Sequence, residues 1–165
     1  LLGPSLSQVH VCVNQSALAL QNRNVIVIKP LLLSAGLMAF SSLALAQAPA
    51  VTVYQDPNCG CCEGWAQHMS EAGFEVKSVK TQAMWQVKQQ LGVPAELASC
   101  HTAVVEQTGQ RVEGHVPAHV VKRMMSDASI RGLAAPGMPA NSPGMGELDG
   151  NLITVDFKGR PYSRD

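Results

Sequence analysis

Three thiols fall within four residues in Asp56-Pro57-Asn58-Cys59-Gly60-Cys61-Cys62, and this density of cysteine at one turn constrains the chain more than any other feature. A short apolar alternation, Val51-Thr52-Val53-Tyr54, runs into the turn, and a helix-like stretch leaves it. Packing has no use for three cysteines at one bend, whereas thiol redox chemistry or a soft metal does. The segment therefore reads as a strand broken by Asp56-Pro57-Asn58 and continued by a helix that opens at Cys59-Gly60.

The 165 residues, 46% of them hydrophobic at a formal net charge of +0, suit one domain able to bury a core. Neutrality gives no argument for a nucleic-acid or anionic-membrane partner. It averages two unlike parts, because Arg23 and Lys29 are the only charged residues before Asp56. An apolar run at 31–45 follows Lys29-Pro30 and ends in Ala44-Leu45-Ala46. A basic flank, an apolar run of roughly 7–15 residues and an A-x-A site describe a secretory signal peptide. A membrane span would need roughly 20 apolar residues. The expected organisation is an upstream segment over 1–24 that fits neither helical nor strand period, a signal peptide over 25–46 cleaved after Ala46, and one domain over 47–165. Translation is expected to start near Val25 or Val27, and Cys12, lying upstream, is given no role. Export to an oxidising compartment permits disulfides. Cys59, Cys61, Cys62 and Cys100, three plus one, nevertheless make a poor staple, since a link between near neighbours closes too short a loop.

Along the chain, residues 51–54 alternate as a strand and a helix runs to about Ala72, with Cys62, Ala66 and Met69 on one face, Trp65 beside them and Gly73 as its stop. A second strand is expected at 74–79 and a second helix at 81–91, with Met84, Val87 and Leu91 as its buried stripe. Gly92-Val93-Pro94 ends that helix, and 95–99 offers a short helical turn before Cys100-His101. A hairpin follows, from a strand at 102–105 through a turn at 107–110 to a partner at 111–116. Pro117 is placed as the first residue of a third helix whose apolar face is Val120, Val121, Met124 and Met125. Residues 132–150, rich in Gly, Pro, Ala and Met, read as a long loop, and 152–157 as the last strand. This order predicts an α/β, thioredoxin-like fold: a central mixed sheet, flanking helices, a Gly/Pro/Met-rich C-terminal loop and a last strand. In that arrangement the loop carrying Cys100-His101 rises beside the cysteine motif.

A cysteine at a helix amino terminus meets unpaired N–H groups and the positive dipole end, which lower a thiol pKa from about 8.5 to about 3.5–7.5. The resulting thiolate serves disulfide exchange and soft-metal binding alike. Exchange needs only an attacking and a resolving cysteine. A thiolate-rich site selects Cu(I), Zn(II) or an iron–sulfur cluster. Zinc asks for four ligands in one tetrahedron, which the adjacent Cys61 and Cys62 make awkward. Neighbouring thiols suit a bridged, multinuclear Cu(I) cluster better, and export favours copper.

DPNCGCC, Trp65, His68, GVP at 92–94, SCHT at 99–102, EGHVPA at 113–118 and GLAxPGMPxxSPGM at 132–145 together resemble the CopG-type family of exported bacterial copper-resistance proteins, a domain of unknown function. The resemblance runs from about Val51 to Phe157; only 106–111 looks longer than the family's usual tight turn. It implies a thioredoxin-like fold, a periplasmic location, and copper bound by Cys59, Cys61, Cys62 and Cys100.

Five further residues are candidate auxiliary metal contacts: His68, His101, His115, Met138 and Met145. His68 is expected at the surface. The His101 side chain is expected to point away from that of Cys100 and to bond the loop backbone. His115 and His119 straddle Val116-Pro117, which breaks a shared helical face, so a half-exposed histidine capping the helix start is expected there. Pro136-Gly137-Met138 and Pro143-Gly144-Met145 offer thioethers that either contact copper or fill gaps. Met84, Met124 and Met125 belong to apolar stripes and are expected in the core. The expected function is Cu(I) sequestration, hand-over or tolerance, with copper ions and periplasmic copper transporters or chaperones as partners. It involves no nucleic acid and no membrane span after leader cleavage. The alternatives are a periplasmic thiol–disulfide or copper oxidoreductase using Cys59 and Cys62, and a structural zinc domain.

Overall fold

In the computed structural model residues 47–165 are described; the upstream segment, the signal peptide and Cys12 lie outside the described residues. The alternation at 51–54 becomes β1 (Ala50–Gln55), and α1 (Gly60–Glu71) carries the chain across to β2 (Glu75–Lys80), which pairs parallel to β1. A parallel neighbour requires such a crossover. Val51 and Val53 are buried on β1, as expected of a strand with neighbours on both sides. β2 is an outer strand, and its Lys77 and Lys80 keep that edge charged.

Gly73 stops α1 through a left-handed residue at φ 89°. Its N–H bonds the Ser70 carbonyl at 2.9 Å, and the Phe74 N–H bonds the Met69 carbonyl at 3.1 Å, the pattern that satisfies the last carbonyls of a helix. Cys62, Trp65, Ala66 and Met69 form the buried face of α1. The Trp65 indole N–H donates to the Val116 carbonyl at 2.8 Å, tying α1 to the segment before the third helix.

The second helix, α2 (Met84–Gln90), is shorter than the expected 81–91, because Thr81 Oγ1 accepts the Ala83 N–H at 3.0 Å and turns the chain first. Its stripe also differs from expectation. Met84, Val87 and Leu91 are only half-buried, and the buried residue of the helix is Lys88. A short 3₁₀ turn (Ala95–Leu97) leads to β3 (Thr102–Val105) and its antiparallel partner β4 (Arg111–Glu113). β4 ends before the expected 116, since Gly114 at φ 67° bends the chain out of the sheet. Pro117 precedes α3 (Ala118–Met125) and does not open it; Val120, Val121 and Met124 are buried and Met125 is half-buried.

The expected loop over 132–150 contains a strand. β5 (Gly132–Ala134) is buried throughout and lies between β4, to which it is parallel, and β6 (Ile153–Asp156), to which it is antiparallel. A Cβ on Gly132 would meet the Phe157 ring at 2.7 Å, so close strand packing here requires glycine. Nor is the strand near 152–157 the last one, since β7 (Pro161–Arg164) pairs beyond it and forms the other edge. Among the described residues the product is a mixed α/β fold with three α-helices and a seven-stranded sheet in the order β2-β1-β3-β4-β5-β6-β7. Among the described residues no helix is long and apolar enough to cross a membrane.

The β6–β7 turn is held by Asp156, whose carboxylate accepts the Lys158 N–H at 2.9 Å, the Arg160 N–H at 3.0 Å and Arg160 Nε at 2.7 Å. Burial alone would raise its pKa, but the Arg160 side chain and the two backbone N–H groups hold it below the ordinary value. A carboxylate so held stabilises the fold above its unfolded pKa of about 3.9 and ceases to as pH falls through the lower folded value. Asp156→Asn is therefore expected to cost about 1–2 kcal/mol at pH 7. Urea unfolding checks this, and the deficit shrinks as the titration is repeated at falling pH below 4.

Candidate metal centre

The turn that delivers the thiols is set locally. Asp56 Oδ1 accepts the Asn58 N–H at 2.9 Å and the Asp56 carbonyl accepts the Cys59 N–H at 3.2 Å. Asp56-Pro57-Asn58 thus folds on itself and leaves Cys59 as the residue that caps α1. Cys59 and Cys62, one helical turn apart, are joined by a disulfide with a Cα–Cα distance of 5.3 Å. Cys61 and Cys100 are free thiols. Cys59 Sγ and Cys61 Sγ are 3.6 Å apart, and the Sγ atoms of Cys59, Cys61, Cys62 and Cys100 all lie within 4.8 Å of one another. The loop before β3 does come up beside the motif.

Cys100 is held there by a buried ion pair. Glu113, at the end of β4, is 0% exposed, and Lys88 of α2 reaches it at 2.5 Å. The same carboxylate accepts the Ser99 N–H at 2.6 Å and the Thr102 hydroxyl at 2.7 Å, while Lys88 Nζ also donates to Thr102 Oγ1 at 3.0 Å. Residues on both sides of Cys100-His101 are thereby fastened to one carboxylate. Burial pushes the Glu113 carboxyl up, and Lys88, Thr102 and Ser99 oppose that shift.

Two imidazoles flank the Cys100 sulfur. His101 Nδ1 lies 3.4 Å from it. This corrects the expected outward orientation: alternation does not govern the pair, because β3 begins only at Thr102. The His101 ring is fully buried, 4.5 Å from Trp65 and 5.1 Å from His115 between ring centroids, and its Nε2 has no partner. Burial first, then His115 and Lys88, push its pKa well down. His115 is also fully buried, not half-exposed as expected, since the bend at Gly114 turns the chain inward. Its Nε2 is 3.0 Å from Cys100 Sγ and its Nδ1 is 2.7 Å from the Pro143 carbonyl. Burial lowers its pKa as well. Cys100, His101 and His115 form a second group whose ligand atoms lie within 4.8 Å of one another. The Cys100 thiol is pushed up to about 11, by burial first and then by Cys61.

A family model described as a protein of unknown function, DUF411, matches residues 97–145. Two solved structures, both named copper resistance protein copG (form 1 and form 2), are 38% identical to this chain and cover 70% of it, with a TM-score of 0.62. The chain spans 94% of the first and 95% of the second. It belongs to the CopG-type family. No curated protein matches it.

The family match at 97–145 spans Cys100, both buried histidines and the loop that folds over them. That loop is seated in two places. Ser99 Oγ donates to the Gly137 carbonyl, and Gly144, at φ 84°, lies so close to α1 that a Cβ would meet Trp65 N at 2.5 Å. Met138 and Met145, each following one of these glycines, are 60% and 41% exposed, so neither fills a gap. His68 is half-buried, and its Nε2 accepts the Ala118 N–H at 3.1 Å at the start of α3. Its lone pair is therefore committed to helix capping, and His68 joins neither thiol group. Burial lowers its pKa, with Glu71 opposing. His119 is exposed and meets Asp165 at 2.7 Å, apart from His115 as the Val116-Pro117 break predicts.

Sequence reasoning assigns no role to Lys88, Glu113, Thr102 or Ser99, although the last three lie within quoted motifs. Lys88 was legible only as a cation in register with Met84 and Leu91, at i+4 and i+3, and Glu113 carries no local signal. Removing one partner of a buried ion pair leaves the other charge uncompensated, which costs about 3–5 kcal/mol. Lys88→Met is expected to lose that much in urea unfolding, and Lys88→Met with Glu113→Gln to recover part of it.

Proposed function

We propose that this chain is an exported copper-binding protein of copper tolerance, in which the reduced thiolates of Cys59, Cys61, Cys62 and Cys100 take up Cu(I). The observation that carries the reading is the convergence of four sulfur atoms within 4.8 Å in a member of a copper-resistance family. Thiolate donors prefer Cu(I) to hard cations. Cys61 and Cys62 are consecutive, and sulfurs so placed favour bridging between ions over sharing one tetrahedron. The resulting cluster holds more than one copper. Uptake requires the Cys59–Cys62 disulfide to be reduced, which frees two of the four donors. It also displaces the proton that burial keeps on Cys100.

In this reading residues 25–46 export the chain, 47–165 form the working domain in the periplasm, and bound copper is sequestered or handed to periplasmic transporters or chaperones. A thioredoxin-like classification is supported by the strand order β2-β1-β3-β4, with β1 parallel to β2 and antiparallel to β3, and by a C-x-x-C at the start of α1. Met138 and Met145, exposed beside the two seats of the loop, are proposed as transient contacts for arriving copper. A single zinc on the four thiolates is the alternative metal.

A second reading has its own observation. The disulfide across the first turn of α1 joins a half-buried Cys59 to a fully buried Cys62, the pairing of an accessible attacking thiol with a shielded resolving one in a thiol–disulfide oxidoreductase.

Titration of the reduced protein with Cu(I) under argon, against a chromophoric chelator, separates these readings. More than one Cu(I) per chain is expected, with a lower capacity in Cys61→Ser. Less than one Cu(I) per chain, with turnover on a disulfide substrate, rejects copper binding in favour of the oxidoreductase. One zinc bound more tightly than copper selects the zinc reading.

A further inference from the structure

Strand alternation puts Arg111 and Glu113, two residues apart on β4, on one face of the sheet. Glu113 meets Lys88 of α2 on that face, beside the Cys100 loop. At the other end of β4, Arg111 and Leu91, which follows α2, line a cleft of about 420 Å³. Its floor is apolar, formed by Leu91, Ile130 and the Phe157 ring, all half-buried. Gly132 stands opposite Arg111 in the β4–β5 register and leaves room for that ring, which lies 2.7 Å from where a Cβ would be.

Arg111, Arg131, Lys158 and Arg160 all line this cleft. Their concentration is not the average of the surface, because residues 47–165 hold every Asp and Glu of a chain of net charge +0, while Arg23 and Lys29 lie upstream. Asp156 is the carboxylate among the lining residues, and its oxygens are already occupied. One accepts the Lys158 and Arg160 N–H groups, and the other accepts Arg160 Nε at 2.7 Å and Nη2 at 2.5 Å. Among the described residues Arg111, Arg131 and Lys158 enter no ion pair, and the buried Arg111 Nε has no acceptor. A buried donor on a charged group is costly to leave unmatched. The frame is fixed by the sheet: the Arg111 N–H donates to the Arg131 carbonyl at 3.1 Å, and the Phe157 N–H to the Gly132 carbonyl at 3.2 Å.

We infer that this cleft binds a small organic carboxylate, with the carboxylate on the Arg111 guanidinium and an apolar body laid against Phe157, Leu91 and Ile130. A guanidinium presents its N–H donors as a planar fork that matches the two oxygens of a carboxylate. Arg131 and Lys158, exposed at the rim, add attraction for the same charge. Small-molecule sites combine mostly apolar walls with a few placed polar groups in about 300–1,000 Å³, and the cleft has both the composition and the size. A bare inorganic anion would leave its apolar floor uncovered. The cleft and the thiols lie at opposite ends of β4, so the inference is independent of the copper-binding reading.

Titration of the full chain, free of copper, with phenylacetate tests it, followed through the backbone amide signals in NMR spectra. Saturable shifts at Arg111, Ile130, Arg131 and Phe157 are expected below about 10 mM ligand. Inorganic phosphate, which has the charge without the body, and phenethyl alcohol, which has the body without the charge, are each expected to bind at least about tenfold more weakly. Arg111→Gln is expected to weaken phenylacetate at least about tenfold. Arg131→Gln is expected to weaken it several-fold, and by more at low ionic strength than at high. The absence of saturable shifts, or shifts confined to other parts of the chain, overturns the proposal. So does phosphate or the alcohol binding as tightly as phenylacetate, or an unchanged affinity in Arg111→Gln. Arg131 is exposed, so its variant and the two control ligands decide even where Arg111→Gln fails to fold.

Discussion

Lys88 and Glu113 meet at 2.5 Å in the interior, the carboxylate wholly withdrawn from water and the lysine nearly so, and the rest of the site depends on that meeting. A carboxylate withdrawn from water needs donors for its lone pairs, and here they come from three segments: Lys88 on α2, the Ser99 N–H before Cys100, and the Thr102 hydroxyl after it. Satisfying one buried charge therefore fixes the loop that brings the distant cysteine to the motif. The hydrophobic core, built on Val51, Val53, Trp65, Val112, Val120 and Leu133, fixes the sheet and helices. It does not by itself determine where an irregular loop such as 98–101 lies. The polar network does, which is why a lysine occupies the buried face of α2.

The other half of the site is local. Asp56 folds the chain back before α1, so the thiols occupy the first turn of a helix that is anchored by the Trp65 indole. Cys100 links the two halves: its sulfur belongs both to the four-sulfur group and to the group with His101 and His115. Thiol chemistry on one side and imidazole chemistry on the other share a single atom.

Much of this was legible in the sequence. Alternation locates β1 and β2, glycine ends α1, and the order of elements places Cys100 beside the motif. What was not legible has a physical cause in each case. β5 has three residues, one of them a glycine without a side chain, so it presents no periodicity to read. Lys88 has the composition of a surface residue, and only its partner, 25 positions away, explains its burial. The burial of His115 escapes a sequence reading because the left-handed turn at Gly114 takes the chain out of the strand that the pattern continues. The role of His68 is set by a helix start 50 residues downstream, which no local pattern around it announces.

The seat of Gly144 on α1 also bears on assembly. The carbonyl that orients His115 belongs to Pro143, 28 residues further along the chain, and the segment carrying it is bracketed by β5 and β6 of the same sheet. The thiols of α1 thus emerge early in the chain, and their imidazole neighbour is fixed only after the sheet has been extended by strands from its far end. Contacts of such long sequence separation form late, because loop closure comes before their stabilisation. The enclosure around the cysteines is thus completed by chain that lies far beyond them in sequence.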